Sequence, residues 1–137
     1  TDSEFDLYGT DYNTPDGTCI RDYIHVIDLV EAHILALNKL QKERSLPAGP
    51  LRREASRQGF SYNVGTGKGY SNKEVLNMVK KLSSIDFKVN IAERRSGDPE
   101  VLVSDPAKIV KELGFKPQYS DLATIVKTAF NWHKKRF

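Results

Sequence analysis

The chain has 137 residues, with 21 Lys and Arg against 18 Asp and Glu, a net charge of +3 and 39% hydrophobic residues. That length suits one domain burying roughly two-thirds of its unfolded surface. The charge is too small to argue by itself for a nucleic-acid or membrane-surface partner. One cysteine, Cys19, excludes an internal disulfide and leads us to expect a reducing, cytoplasmic setting. No apolar run approaches the about 20 residues that span a bilayer. The start, Thr1-Asp2-Ser3-Glu4, is polar and acidic. We therefore expect no signal peptide there and, without an initiator Met, a trimmed chain.

In chain order, Phe5 to Tyr12 reads as a short extended segment broken at Gly9. Thr14-Pro15-Asp16-Gly17 is a turn, Pro presetting φ and Gly tolerating a positive one. A short strand is expected at about Tyr23–His25. From Val26 the period changes: Ile27, Val30, Ile34, Leu37 and Leu40 recur at helical spacing, predicting a helix to about Glu43. Residues 44–59 then carry Pro47, Gly49, Pro50 and four arginines (Arg44, Arg52, Arg53, Arg57). This connection is longer than compact domains ordinarily use. We expect it to be flexible, with an RNA- or phosphate-binding loop as the alternative.

Phe60 to Val64 reads as a strand feeding Gly65-Thr66-Gly67-Lys68-Gly69. Ser71 and Glu74 have capping-box spacing at the head of a helix with Val75, Met78, Val79 and Leu82 as its apolar stripe. Lys88 to Ala92 is a second strand. Asp105-Pro106 starts a further helix that Gly114 ends. Ser120-Asp121 caps a final helix with Leu122, Ile125, Val126, Ala129, Phe130 and His133 on one face and Trp132 as a docking anchor. The expected class is α/β, α+β-like: a small mixed sheet of about three short strands with four helices. So thin a sheet suggests that part of it is supplied from elsewhere.

Three stretches are candidates for chemistry. In Arg21-Asp22-Tyr23 a planar fork of donors stands beside a phenol, which suits a phosphate or carboxylate ligand. Equally, Arg21 can pair with Asp22 or another acid while Tyr23 packs inward. The glycine-rich turn at 65–69 sits where phosphate loops sit. It departs from the dinucleotide fingerprint, because residue 70 is Tyr, and from the P-loop, because Gly69 follows Lys68. A plain strand-to-helix turn is the competing reading. In Arg94-Arg95-Ser96-Gly97-Asp98 one arginine can face a ligand while its neighbour meets a carboxylate; a solvated loop is the alternative. His25, His33 and His133 have no metal-ligand spacing, and His25 reads as a structural hydrogen-bonder. No nucleophile arrangement is present, and no Tyr-x-x-x-Lys occurs.

Taken together, Tyr8-Gly9-Thr10-Asp11-Tyr12, Thr14 to Val26 with its Arg21-Asp22-Tyr23-Ile24-His25-Val26, Tyr62-Asn63-Val64-Gly65-Thr66-Gly67, Arg94-Arg95-Ser96-Gly97-Asp98-Pro99 and Glu112-Leu113-Gly114-Phe115-Lys116-Pro117 resemble the later blocks of the UDP-glucose 4-epimerases. These are extended short-chain dehydrogenases/reductases. Thr128 to His133 resembles their C-terminal helix. The resemblance implies that residues 1–137 are a single C-terminal domain binding UDP-glucose or UDP-galactose. Arg21 and Arg95 would hold the diphosphate, with Tyr23 nearby. Asp98 would take the ribose hydroxyls, and Tyr8 with the Asp6 backbone would meet the uracil edge. Asn72 would line the nucleotide pocket. Leu102 would occupy the position whose size bears on an N-acetyl group. It implies NAD as the cofactor of the full-length family, on an N-terminal Rossmann half that these residues do not include. The expected partners are a UDP-sugar and that missing half, and the chain alone is expected to be inactive. A truncated relative serving self-association or protein interaction is the second expectation. Nucleic-acid binding through Arg44–Arg57 and Lys134–Arg136 is the third.

Overall fold

The computed structural model describes residues 4–45, 49 and 59–136. Nine elements follow in order: β1 (Glu4–Tyr8), β2 (Ile20–Asp22), α1 (Val26–Arg44), β3 (Gly69–Ser71), α2 (Asn72–Ser83), β4 (Lys88–Ala92), β5 (Val101–Leu102), α3 (Ala107–Leu113) and α4 (Leu122–Arg136). Among the described residues the fold is mixed α/β with four helices, as expected. The strands described number five rather than about three, in two small sheets. β1 and β4 pair in parallel, from Glu4 opposite Lys88 to Tyr8 opposite Ala92. β2 lies between antiparallel β3 and parallel β5. β3 and β5 are too short to leave a periodic signal.

Two strand boundaries are corrected. The strand expected at Tyr23–His25 is β2, three residues earlier, because His25 already serves as the N-cap of α1, its Nδ1 accepting from the Ile27 N–H at 3.1 Å. Phe60–Val64 is not a strand. Tyr62 and Val64 pack on the core while Ser61 and Asn63 face solvent, so the period-2 pattern is real. Among the described residues no strand lies beside it to complete a ladder, and alternation without a neighbour does not make a sheet. Most of the basic 44–59 stretch, and the expectations placed on it, fall outside the described residues.

Helix ends follow the local chemistry. Ser71 and Glu74 form the capping box reciprocally, Ser71 Oγ accepting from Glu74 N at 3.0 Å and Glu74 Oε2 from Ser71 N at 2.7 Å. Asp105 Oδ1 accepts from Ala107 N, and Gly114 closes α3 at φ +67°. Asp121 Oδ1 accepts from Thr124 N at 2.9 Å and caps α4.

The core is small. Ala32, Ile109 and Phe115 are at most 2% exposed, with Ile24, Leu35, Tyr62, Val64 and Leu113 packed around them. α1 reaches this core with a face that its apolar stripe does not predict. Asp28 and Ala32 are buried, whereas Ile27, Val30, Ile34, Leu37 and Leu40 stand exposed. The buried Asp28 carboxylate accepts from Gln118 N and Tyr119 N, each at 2.9 Å, and from Ser120 Oγ at 2.5 Å. Ser120 Oγ accepts in turn from His25 N. Ser120 therefore ties α1 to α4 instead of capping α4. Trp132 is 60% exposed beside Ile24, Ile27 and Ile125, so it lines a groove rather than anchoring α4 in the core. Among the described side chains of α4, Leu122 and Val126 are the buried ones.

Candidate functional site

The turn at residues 12–18 builds one wall of the site. Gly17 adopts φ +80°, and a Cβ there would meet the Thr10 carbonyl oxygen at 2.1 Å, so only glycine fits. Asp16 Oδ1 accepts from Thr18 N and Oγ1, and Oδ2 from Ser71 Oγ at 2.5 Å. Lys73 N donates to Thr18 Oγ1, and Asn72 N to the Cys19 carbonyl. The turn is thereby fastened to the N-terminus of α2, which sets Asn72 against Tyr23: the phenol donates to Asn72 Oδ1 at 3.3 Å. Burial pushes the Tyr23 phenol pKa up, with the Arg21 charge pulling the other way.

β2 separates Arg21 from Asp22, because successive side chains of a strand leave opposite faces. Asp22 enters the glycine-rich turn. It accepts from Thr66 N and Gly67 N at 3.0 Å, Thr66 Oγ1 at 2.7 Å and Ser104 Oγ at 2.7 Å. Burial opposes its ionisation, but these bonds from Thr66, Ser104 and Gly67 prevail and hold the carboxyl below the usual range. The turn is thus a loop leading into β3, and an internal carboxylate already takes its Thr66 and Gly67 N–H groups. A Cβ on Gly65 would meet Ser104 Oγ at 2.0 Å and Asp22 Oδ2 at 2.4 Å. A dinucleotide pyrophosphate does not fit there.

On the other face, Arg21 Nη1 donates to the Ile20 and Pro99 carbonyls, and Nη2 lies 3.9 Å from Asp98 Oδ1. The two adjacent arginines divide as the sequence suggests. Arg94 Nε bonds Asp11 Oδ1 at 2.7 Å, its Nη2 bonds the Asp11 carbonyl, and its guanidinium covers the Tyr12 ring. Arg95 instead lies 3.9 Å from the Tyr8 ring centre and has no ion pair among the described residues.

These elements enclose a pocket of about 430 Å³ between β1, α2 and the 95–98 loop. Six of the eight residues singled out from the sequence line it: Asp6, Tyr8, Tyr23, Asn72, Arg95 and Asp98. Arg21 adjoins it through Asp98. Leu102 does not line it; it is 59% exposed on β5, opposite Arg21 in register. Asp6 Oδ1 accepts from Asn90 Nδ2 across the β1–β4 pair. The apolar floor, Val75, Leu76, Val79 and Phe87, went unassigned in the sequence. A signal for it existed: Asn72, Val75, Leu76 and Val79 recur at i, i+3, i+4, i+7, so the face carrying Asn72 carries the floor too. The volume is that of a small-molecule site, with aromatic walls and convergent polar groups. Among the described residues no group of His, Cys, Asp or Glu could hold a metal ion, and no helix is long and apolar enough to cross a membrane.

The fold and pocket define a mixed α/β unit with a cavity of small-molecule size. The chain belongs to the GDP-mannose 4,6 dehydratase family, matching it over residues 8–128. It is 47% identical to the probable UDP-arabinose 4-epimerase 1 of Oryza sativa subsp. japonica, over 93% of this chain and 27% of that protein. It is 43% identical to the UDP-glucose 4-epimerase of Rhizobium meliloti (strain 1021), over 96% of this chain and 36% of that protein. The solved UDP-glucose 4-epimerase of Bifidobacterium longum, in complex with NAD+ and UDP, superimposes with a TM-score of 0.78 at 35% identity, covering 97% of this chain and 35% of that one. The chain therefore spans about a third of the length of the curated relatives it matches.

Proposed function

We propose that this chain is the C-terminal, UDP-sugar-binding portion of an NAD-dependent UDP-glucose 4-epimerase and is inactive alone. The observation that carries this reading is the convergence of Asp6, Tyr8, Tyr23, Asn72, Arg95 and Asp98 on one pocket. Arg21 and Arg95 hold the diphosphate, Asp98 the ribose hydroxyls, and Tyr8 with the Asp6 backbone the uracil. Leu102, outside the pocket wall, bears on the sugar end. NAD, when bound, supplies the hydride exchange at the sugar, and none of this chain's residues is assigned to it. The setting is cytoplasmic, in galactose metabolism; activity of the full-length protein recovered outside the cytosolic fraction would contradict the first part.

Calorimetry of the folded chain tests the reading. UDP and UDP-glucose should bind, and Asp98→Ala or Arg21→Ala should weaken them about ten-fold, the size of one charge-assisted hydrogen bond. No heat from folded protein at millimolar UDP would overturn it.

A specific observation favours a second role on the same chain. The exposed stripe Ile27, Val30, Ile34, Leu37 suits an apolar partner surface. On the first reading that partner is the missing Rossmann half. On the second it is another copy of this chain, and light scattering that finds only monomer at high concentration rules that out.

A further inference from the structure

The Arg95 guanidinium lies over the Tyr8 ring, 3.9 Å from its centre, and both residues line the pocket. This is the surface on which a planar base would stack. Arg94 gives the contrast one residue earlier. It also covers a tyrosine ring, Tyr12 at 4.1 Å, but Asp11 grips it by Oδ1 and by its carbonyl. Among the described residues the Arg95 guanidinium has only the ring. Among the described residues no carboxylate pairs with it, so its five N–H donors are available to an incoming anion.

We infer that Arg95 is a lid on the Tyr8 ring that a ligand's phosphates lift. Over the Tyr8 ring the guanidinium occupies the base's seat. A nucleoside diphosphate offers that guanidinium a stronger partner, because charge-assisted bonds to phosphate oxygens exceed an exposed cation–π contact. Arg95 then leaves the ring, and the base takes its place. A nucleoside without phosphate must displace Arg95 and returns nothing to it. Arg95 is thus a specificity determinant acting in two directions: it favours nucleotides and disfavours free nucleosides at the same seat. This rests on the pocket being the nucleotide site proposed above.

The test is a titration of the 137-residue chain with UDP and with uridine, followed by NMR, in the wild type, Arg95→Ala, Tyr8→Leu and the double variant. Arg95 is exposed, so Arg95→Ala should fold with unchanged thermal midpoint. The lid predicts opposite signs for the two ligands. Arg95→Ala should weaken UDP about ten-fold or more and strengthen uridine about three-fold, the size of the contact removed. Tyr8→Leu should abolish the uridine gain, since no ring is left to uncover. Uridine that binds Arg95→Ala no better than wild type, while UDP binds the wild type, overturns the lid and leaves the nucleotide site standing. Wild-type protein that binds neither ligand overturns both.

Discussion

Arg21 and Asp22 are chain neighbours with opposite roles, and the pleat of a three-residue strand separates them. Asp22 fills the glycine-rich turn, and Arg21 reaches the Asp98 loop. Asp28 shows the same logic in a helix. It is 4% exposed, and Gln118, Tyr119 and Ser120 donate to it across 90 residues of chain or more. Removing a buried acceptor leaves its donors unsatisfied, which costs more than the net value of the bonds. Asp28→Ala should therefore lower unfolding free energy by about 3 kcal/mol, read from urea denaturation. Ser120→Ala, which leaves two donors on Asp28, should lose roughly half as much. A smaller loss for Asp28→Ala than for Ser120→Ala would show that the carboxylate is not the anchor.

Among the elements, α2 does the most to shape the pocket. Its N-terminus is fastened to the 12–18 turn through Ser71, and its 72, 75, 76, 79 face supplies both a polar contact and the floor. α3 is the opposite case, a seven-residue helix whose end depends on one glycine. Gly114 has φ +67° and nothing near its missing Cβ, so a substitution there meets conformational strain alone. Gly114→Ala should cost about 1 kcal/mol and Gly114→Asn less, because Asn tolerates the left-handed region better. Thermal unfolding of the two variants measures the difference, and equal midpoints would mean the turn relaxes freely.

At the scale of the molecule, three hydrogen-bonded carboxylates add to the modest core: Asp28 is buried, Asp16 and Asp22 half-buried. Asp16, Asp22 and Asp28 each face burial that raises the carboxyl pKa, and in each the hydrogen bonds it accepts outweigh this and bring it below the ordinary 3.8. A folded-state pKa below the unfolded one means the unfolded chain binds more protons. The stabilisation is therefore complete above the unfolded value and is lost as pH falls through the folded ones. Urea midpoints should be level between pH 7 and 5 and drop steeply below about pH 4. A flat profile down to pH 3 would contradict this. The exposed α1 stripe makes a separate claim. Val30→Glu with Ile34→Glu should leave the unfolding free energy of the isolated chain within about 0.5 kcal/mol, since neither side chain is buried. Any association measured by sedimentation should disappear.

Local chemistry wrote the turns and caps plainly. The Asp16-Gly17 turn, the Ser71–Glu74 box and the Gly114 stop each depend on residues within four positions, and each stands where its residues indicate. Arg21, Tyr23, Arg95 and Asp98 were singled out together through the family's blocks, and the fold brings Tyr23, Arg95 and Asp98 to one pocket with Arg21 beside it. Contacts over long separations decided the rest. Whether Phe60–Val64 becomes a strand depends on a neighbour, and among the described residues no strand stands beside it. Which stripe of α1 turns inward depended on Asp28 finding three donors in the 118–120 loop, an attraction that periodicity cannot show. The glycine-rich turn could cradle a phosphate or a carboxylate with equal local chemistry. Only the fold brought Asp22 into it, set Arg95 in the pocket wall and left Arg21 beside the pocket.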